Sequence, residues 1–279
     1  MKSIDSSTKL YEIIASKKVY LEEQIGVKPT ARLEKELESV VPFQGPNFFD
    51  ALKGQQPNPK LIAEVKKASP SRGVMRSNFS VSDINEAYQS SSNVVAISVL
   101  TEKNYFHGSE DILSFFAKNN THNKPLLRKD FIFDPYQILE TKLLGAQAYL
   151  LIASLFDSPK ELETLITFGQ ELGLEPLVEV HTKEELELVK ATSARVIGVN
   201  SRDMKTLTVD NTIHDLLKDI DNTYARVAES GIESGEDLGR VLAYSDAALI
   251  GSHFMSQEDI TGAIESLVAS AANKDRAKT

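Results

Sequence analysis

The sequence predicts an α/β fold, a closed (β/α)8 TIM barrel with an extra N-terminal helical segment. Three observations carry that expectation. Eight short apolar runs recur between residues 61 and 250, and amphipathic segments lie between most of them. The runs are apolar on both faces, as strands covered on both sides by crossover helices must be. The chain has 279 residues, the size of one such barrel at ~250 residues. Periodicity does not show closure, so an open doubly wound sheet stands as the alternative.

Taken in order, residues 9–24 and 30–40 place Leu10, Ile13 and Ile14, then Leu33, Leu37 and Val40–Val41, at helical spacing between Lys and Glu. LEKELE reads as a solvated helix face with i,i+4 pairs. GQQPNPK then punctuates the chain with Gly, Pro and Asn. The division expected is a helical extension over 1–55 packed on the barrel, the barrel over 56–270, and a disordered tail over 271–279. The eight runs are 61–65, 94–99, 125–128, 148–153, 176–180, 196–199, 226–229 and 247–250. Helical segments between them include DINEAYQS, PYQILETKLLG, PKELETLITFGQELG, KEELELVK and EDLGRVLAY.

Composition narrows the function. Lys and Arg number 31 against 40 Asp and Glu, a net charge of −9, which argues against nucleic-acid or anionic-membrane partners. An anionic substrate would have to be held by local positive groups against that field. The chain has no cysteine, which excludes disulfides, thiolate metal sites and a cysteine nucleophile, and fits a reducing compartment. MKSIDSSTKLYEII lacks the apolar run of a signal peptide, and no stretch approaches the ~18 apolar residues of a membrane span. A cytoplasmic monomer is expected. His107, His122, His181, His214 and His253 show no HxH or HExxH spacing, so neither a metal site nor a cofactor is indicated, and each reads as a surface or rim histidine.

The ends of the apolar runs carry the chemistry. The first run ends in Glu64-Val65-Lys66, and strand alternation puts Glu64 and Lys66 on one face. The third leads into Lys129-Asp130, the fifth carries Glu179, the sixth ends in Asn200 with Arg202 close behind, and the seventh ends in Glu229-Ser230-Gly231. Buried ion pairs that only support the rim would explain one such end. Charged or amide groups at five ends, all at the face where barrels build active sites, point to a catalytic site. The Gly-containing ends of the seventh and eighth runs, Ser230-Gly231 and Gly251-Ser252, suit a phosphate held by backbone amides. The first loop, KKASPSRG, adds Ser69, Arg72 and Gly73 and reads as a mobile cover or an ordinary surface turn. These residues reach a barrel enzyme acting on a phosphorylated small molecule by Lys/Glu acid–base chemistry, and not the reaction itself.

LIAEVKKASPSRG (61–73) resembles the signature of the indole-3-glycerol phosphate synthases, Glu-x-Lys-x-x-Ser-Pro-Ser. The resemblance continues in order through SVLTEKNYFHGS, LLRKDFIFDPYQI, LVEVH, IGVNSRD, VAESGI and LIGSHFM, from about residue 8 to 265. It implies a carboxy-lyase of tryptophan biosynthesis. Such an enzyme converts 1-(2-carboxyphenylamino)-1-deoxyribulose 5-phosphate into indole-3-glycerol phosphate, carbon dioxide and water. By the same resemblance Lys129 is the general acid and Glu179 the general base and stabiliser of developing positive charge. Glu64 orients the lysine, Lys66 lies near the substrate's anionic groups, and Asn200 and Glu229 orient sugar hydroxyls and catalytic side chains. Ser69, Ser230, Gly231, Gly251 and Ser252 match the phosphate cradle. Phe106 and Phe131 match the aromatic pocket, and Arg202 a partner for the substrate carboxylate. Two departures stand out: GSHFMSQ puts His253 where a small residue is common, and NSRD replaces NNRD.

Two other function classes compete. A Schiff-base aldolase would use Lys66 or Lys129 as an imine-forming nucleophile, and a ligand-binding barrel would use neither chemically. The related isomerase of phosphoribosylanthranilate, which relies on a cysteine and aspartate pair, is disfavoured by the missing cysteine.

Overall fold

The computed structural model of the protein describes residues 2, 5–55, 59–69, 73–76, 79–203, 206 and 208–272. Its strands are β1 (Leu61–Val65), β2 (Ala68–Ser69), β3 (Gly73–Val74), β4 (Val94–Leu100), β5 (Leu126–Lys129), β6 (Ala148–Ile152), β7 (Glu175–Val180), β8 (Val196–Asn200), β9 (Ala225–Glu229) and β10 (Ala247–Ile250). β1 and β4–β10 pair in parallel in the order β1-β10-β9-β8-β7-β6-β5-β4, and β4 returns to β1. The barrel is closed, which settles the open-sheet alternative. Each of the eight predicted runs is a barrel strand. β2 and β3 form a small antiparallel ribbon in the loop after β1. Arg72 and the side chain of Ser69 lie outside the described residues.

The crossovers are helical because each segment has an apolar stripe and a cap. They include α4 (Val81–Ser90), α5 (Glu110–Lys118), α6 (Pro135–Leu143), α7 (Pro159–Glu171), α8 (Lys183–Lys190) and α9 (Gly235–Leu242). Ser80, Ser109, Asp134, Ser158, Thr182 and Ser234 each accept a hydrogen bond from a first-turn amide, and Pro135 and Pro159 stand where a missing N–H does no harm. The crossover from β8 to β9 departs from this pattern and is a 3-10 helix over Asn211–Asp219. After β10 come α10 (Ser252–Met255) and α11 (Ile260–Ala272). Of the predicted tail, 271–272 are still helical and 273–279 lie outside the described residues.

Ahead of the barrel run α1 (Lys9–Val27), α2 (Thr30–Leu37) and α3 (Phe48–Lys53). α2 stops three residues short of the expected end, and Val41 is exposed at 80 %. Leu10, Ile13 and Ile14 of α1 join the main core, while Leu21 and Leu33 form a second cluster with Tyr136 and Leu139 of α6. The extension is also tied to the barrel by charge. Lys17 Nζ is 2.7 Å from Asp130 Oδ2, and Thr101 Oγ1 donates to the same oxygen at 2.6 Å. Arg128, fully buried in β5, approaches Asp130 at 3.4 Å and both Glu110 and Glu140 at 3.3 Å.

Burial alone would favour a neutral Asp130, yet Lys17 and Arg128 outweigh it and hold the carboxyl below its ordinary range. Removing one partner of such a buried pair strands the other charge. Lys17→Met is therefore expected to destabilise the fold by about 3 kcal/mol in urea unfolding at neutral pH. A carboxyl whose pKa is depressed by folding adds stability above its unfolded pKa and loses it as pH falls. The gap between the variant and wild type should accordingly narrow in acid.

Candidate active site

The register of the barrel brings the polar strand ends to one level. Glu179 lies opposite Ile152 on one side and Gly198 on the other, Asn200 opposite Glu229, Lys129 opposite Leu100, and Glu64 opposite Ser98. Together they line a cavity of about 340 Å³ at the C-terminal end of the strands. Every predicted site residue whose side chain is described lines it: Glu64, Lys66, Phe106, Lys129, Phe131, Glu179, Asn200, Arg202, Glu229, Ser230, Gly231, Gly251 and Ser252.

On the cavity floor Lys129 is the shared cation. Its Nζ donates to Glu179 Oε2 at 2.8 Å and stands 3.2 Å from Glu229 Oε2. Burial favours the neutral amine, but Glu179, Glu229 and Glu64 outweigh it and raise the ammonium well above the ordinary lysine range. An amine held charged in this way is a proton donor and a poor imine-forming nucleophile, which weakens the Schiff-base reading for Lys129. Lys66 Nζ sits 2.7 Å from Glu64 Oε1, so the alternation seen in the first run does place the two side chains together.

The carboxylates are set apart by their surroundings. Burial pushes Glu179 towards its neutral form, but Lys129 and then His181 dominate, and its carboxyl is held far below the usual range. Glu229 is completely buried; desolvation, aided by the charges of Glu179 and Glu64, raises it to about 7 despite Lys129. Two carboxyls of one site pushed in opposite directions is the arrangement that acid–base chemistry uses. Glu179 Oε1 and both Glu229 oxygens are buried with no hydrogen bond among the described residues, so groups of a bound ligand have acceptors waiting. Gly198 makes the room: a Cβ there would overlap Glu229 Oε1.

Glu229 makes a stability prediction with a definite sign. A carboxyl whose pKa folding raises supports the fold below the unfolded pKa, and that support is lost as pH rises through about 7. Glu229→Gln is thus expected to gain Tm over wild type at pH 8–9, with the gain shrinking at pH 5; a thermal melt series checks it.

At the other end of the cavity the backbone is unusual. Ser230 (φ +64) and Gly231 (φ +66) are consecutive left-handed residues. Glycine adopts that conformation without cost, and at Gly231 a Cβ would also overlap Asn211 Oδ1. Serine pays about 1 kcal/mol for it, a strain that concentrates at functional sites. Asn211 Nδ2 donates to Gly231 O at 3.3 Å and lines the same end, beside Ser252 and His253. The aromatic wall is formed by Phe106 and Phe131, with ring centroids 6.1 Å apart and planes tilted by 40°. Phe106 is held there by Glu102, a buried carboxylate that accepts from the amides of Asn104, Tyr105 and Phe106 at 3.0, 2.7 and 3.0 Å.

Sequence reading missed several of these residues. Asn211 had no periodic or motif signal, and Glu102, inside the block SVLTEKNYFHGS, was not singled out. Of the histidines expected at the surface or rim, His214 is buried, whereas His181 is half-buried just past the end of β7. His181 lies between Glu179 and Glu185, and His214 places Nε2 3.0 Å from the Glu229 carbonyl. Each follows from the register of β7 or β9 with a neighbouring crossover. His107 and His122 are exposed, and His253 is a rim residue of the cavity. Among the described residues no group of three or more His, Cys, Asp or Glu is arranged to hold a metal ion, and no helix is long and apolar enough to cross a membrane.

The chain resembles known proteins over nearly its whole length. Residues 10–267 match the family model described as indole-3-glycerol phosphate synthase. An indole-3-glycerol phosphate synthase of Dehalococcoides mccartyi (strain CBDB1) is 42% identical over 243 residues, covering 86% of this chain and 92% of the relative. That of Campylobacter jejuni (strain 81-176) is 44% identical over 229 residues, 81% of this chain and 87% of its own. That of Thermoanaerobacter pseudethanolicus is 39% identical over 264 residues, covering 94% and 98%. Among solved structures, 3-hexulose-6-phosphate synthase from Salmonella typhimurium superposes with a TM-score of 0.59 at 13% identity, over 77% of this chain and 99% of that one, which shows a shared fold. With a family match spanning the barrel and three such relatives, the chain belongs to the indole-3-glycerol phosphate synthase family.

Proposed function

We propose that the chain closes the indole ring of 1-(2-carboxyphenylamino)-1-deoxyribulose 5-phosphate, with Lys129 as general acid and Glu179 as general base. The observation that carries the reading is the single ammonium shared by two carboxylates with opposed pKa shifts on the cavity floor. Ring closure needs a proton at the ribulose C2 oxygen as the aromatic carbon attacks, and Lys129 is the charged donor at that level. Loss of carbon dioxide restores the aromatic ring. Loss of the C2 hydroxyl as water then needs further proton transfers, for which Glu179 is an ionised acceptor. It also opposes the positive charge that develops on the nitrogen.

The other residues bind. The phosphate goes to the end bounded by Ser230, Gly231, Gly251 and Ser252, to which the family resemblance adds Ser69. His253 adds a further polar group there. The anthranilate ring lies against Phe106 and Phe131, with its carboxylate towards Arg202 and Lys66. Asn200 and Glu229 hold the sugar hydroxyls, and Glu64 orients Lys66 and the field at Lys129. The chemistry consists of proton transfers that these side chains can carry without a cofactor. The reading is of a monomer acting on a small phosphorylated anion. A net charge of −9 and the absence of cysteine support a cytoplasmic enzyme with neither nucleic acid nor membrane as partner. We take residues 1–55 to be an extension that braces the barrel rather than a separate unit.

The test is direct. Purified protein is mixed with the substrate and indole fluorescence is followed, with no metal or cofactor added. Product formation is expected, and its absence from well-folded protein would overturn the reading and return the ligand-binding barrel.

A further inference from the structure

His181 does not line the cavity, yet it bridges two carboxylates. Its Nε2 is 3.3 Å from Glu179 Oε1, and its Nδ1 is 3.4 Å from Glu185 Oε2. Local geometry explains the placement. His181 is the first residue after β7, and Glu185, in the first turn of α8, reaches back to accept the His181 backbone N–H at 2.7 Å. The histidine side chain is 11% exposed and Glu179 is 1% exposed. Neither Glu179 Oε1 nor His181 Nε2 has an aligned hydrogen bond among the described residues, so the attraction between them is charge on charge. β6, β8 and the 3-10 turn Ala153–Leu155, which pack beside β7, carry no charged residue. α7, which also packs on β7, carries Lys160, Glu161, Glu163 and Glu171, and α8 adds Lys183, Glu184, Glu187 and Lys190. Among the described residues the charged groups paired with the ring are Glu179 and Glu185, with Lys129 and Glu229 beyond Glu179.

Charge balance gives this contact a consequence. At rest, Glu179 shares Lys129 with Glu229. Once Lys129 has passed a proton to the substrate it is neutral, and Glu179 is left buried beside a second carboxyl. A buried carboxylate with no cation would take the next proton itself and cease to be a selective base. We propose that His181, kept as an imidazolium by Glu185, is a positioning residue that holds Glu179 ionised and aimed while Lys129 is neutral. The proposal rests on the Lys129 and Glu179 roles given above. Burial favours the neutral ring, but the contacts with Glu179 and Glu185 outweigh it and hold the histidine up to about 10, so the cation is present throughout the neutral range.

Two substitutions should leave opposite signatures in the pH profile of kcat. His181→Asn removes the cation, so Glu179 takes up a proton more readily. The acidic limb is expected to move up by about one pH unit, with kcat at the acid end lower by about tenfold and KM nearly unchanged. Glu185→Gln keeps an acceptor for the His181 N–H but removes the charge that holds the ring protonated. The alkaline limb is then expected to move down by about one unit, with the acidic limb in place. A residue with a merely structural role would lower the height of the profile and move neither limb. Immobile limbs in both variants, with Tm unchanged, would overturn the proposal, as would wild-type kcat at every pH. If His181→Asn fails to fold, the alkaline limb of Glu185→Gln decides alone. Glu179→Gln separates the two readings. Full activity there sinks the base itself, whereas a large loss there with immobile limbs in the other variants sinks only the role of His181.

Discussion

Lys129→Ala is expected to lower kcat by about 10²–10⁴-fold, the range associated with losing a positioned general acid. KM should change far less, because the phosphate and aromatic ends of the cavity are built from other residues. The physical case rests on how the ammonium is held. Three carboxylates overcome the burial that would otherwise neutralise it, and its Nζ lies 2.8 Å from Glu179 and 3.2 Å from Glu229. Alanine removes the donor and also, among the described residues, the lysine contact of both carboxyls. Glu229, already raised to about 7, should then hold its proton to still higher pH. Single-turnover fluorescence with saturating enzyme separates chemistry from binding. Turnover close to wild type from folded Lys129→Ala would exclude this lysine as the acid and make Lys66, paired with Glu64 at 2.7 Å, the next candidate.

Glu179→Gln is expected to cost a similar factor, about 10²–10⁴ in kcat, by removing the base while preserving shape. The amide oxygen can still accept from Lys129, so a large loss would report the charge and not the packing. A second effect follows from the linkage between the groups. Glu179 is the largest of the carboxylate influences that raise Lys129. Without it the ammonium loses its proton at lower pH, so the residual activity of Glu179→Gln should fall off at a lower alkaline pH than that of wild type. His181 also loses one of its two carboxylates, and its proton becomes less tightly held. A pH profile of the residual rate checks both. A profile identical in shape to wild type would show that the two groups are not coupled as the distances imply.

The cost of this site is visible in the fold. Glu229 is buried with a raised pKa, Ser230 is held at a positive φ, and Glu179 Oε1 and both Glu229 oxygens lack hydrogen bonds among the described residues. Each of these features disfavours the folded state, and each faces the cavity or borders it. The core offsets them: β1, β4 and β6–β8 are buried along their whole length, and α1 adds Leu10, Ile13 and Ile14.

Much of this could be read from the chain itself. The strands could be located because residues covered on both faces must be apolar, so eight separate runs stand out. Most of the crossover helices could be placed because an apolar stripe at helical spacing is a local property. Ser, Thr or Asp at the start of each marks its cap by the same local logic. The polar strand ends were legible for a related reason: charge at the end of a buried run is costly and therefore conspicuous. What lay beyond reach was whatever depends on the register between strands far apart in sequence. Nothing local says that Gly198 must be bare for Glu229, that Lys129 serves two carboxylates, or that Lys17 of α1 reaches Asp130 across 113 positions. His181 read as a surface or rim histidine because no HxH or HExxH spacing marked it, although its partners Glu179 and Glu185 lie close by in the chain. Hydrophobicity and backbone propensity act over a few residues, so local sequence sets which residues are buried and where the polar ends fall. Barrel closure and shear decided which of those ends would touch, and hence which carboxyl is ionised and which keeps its proton, because Coulomb interaction and desolvation depend on distances that only the assembled tertiary structure sets.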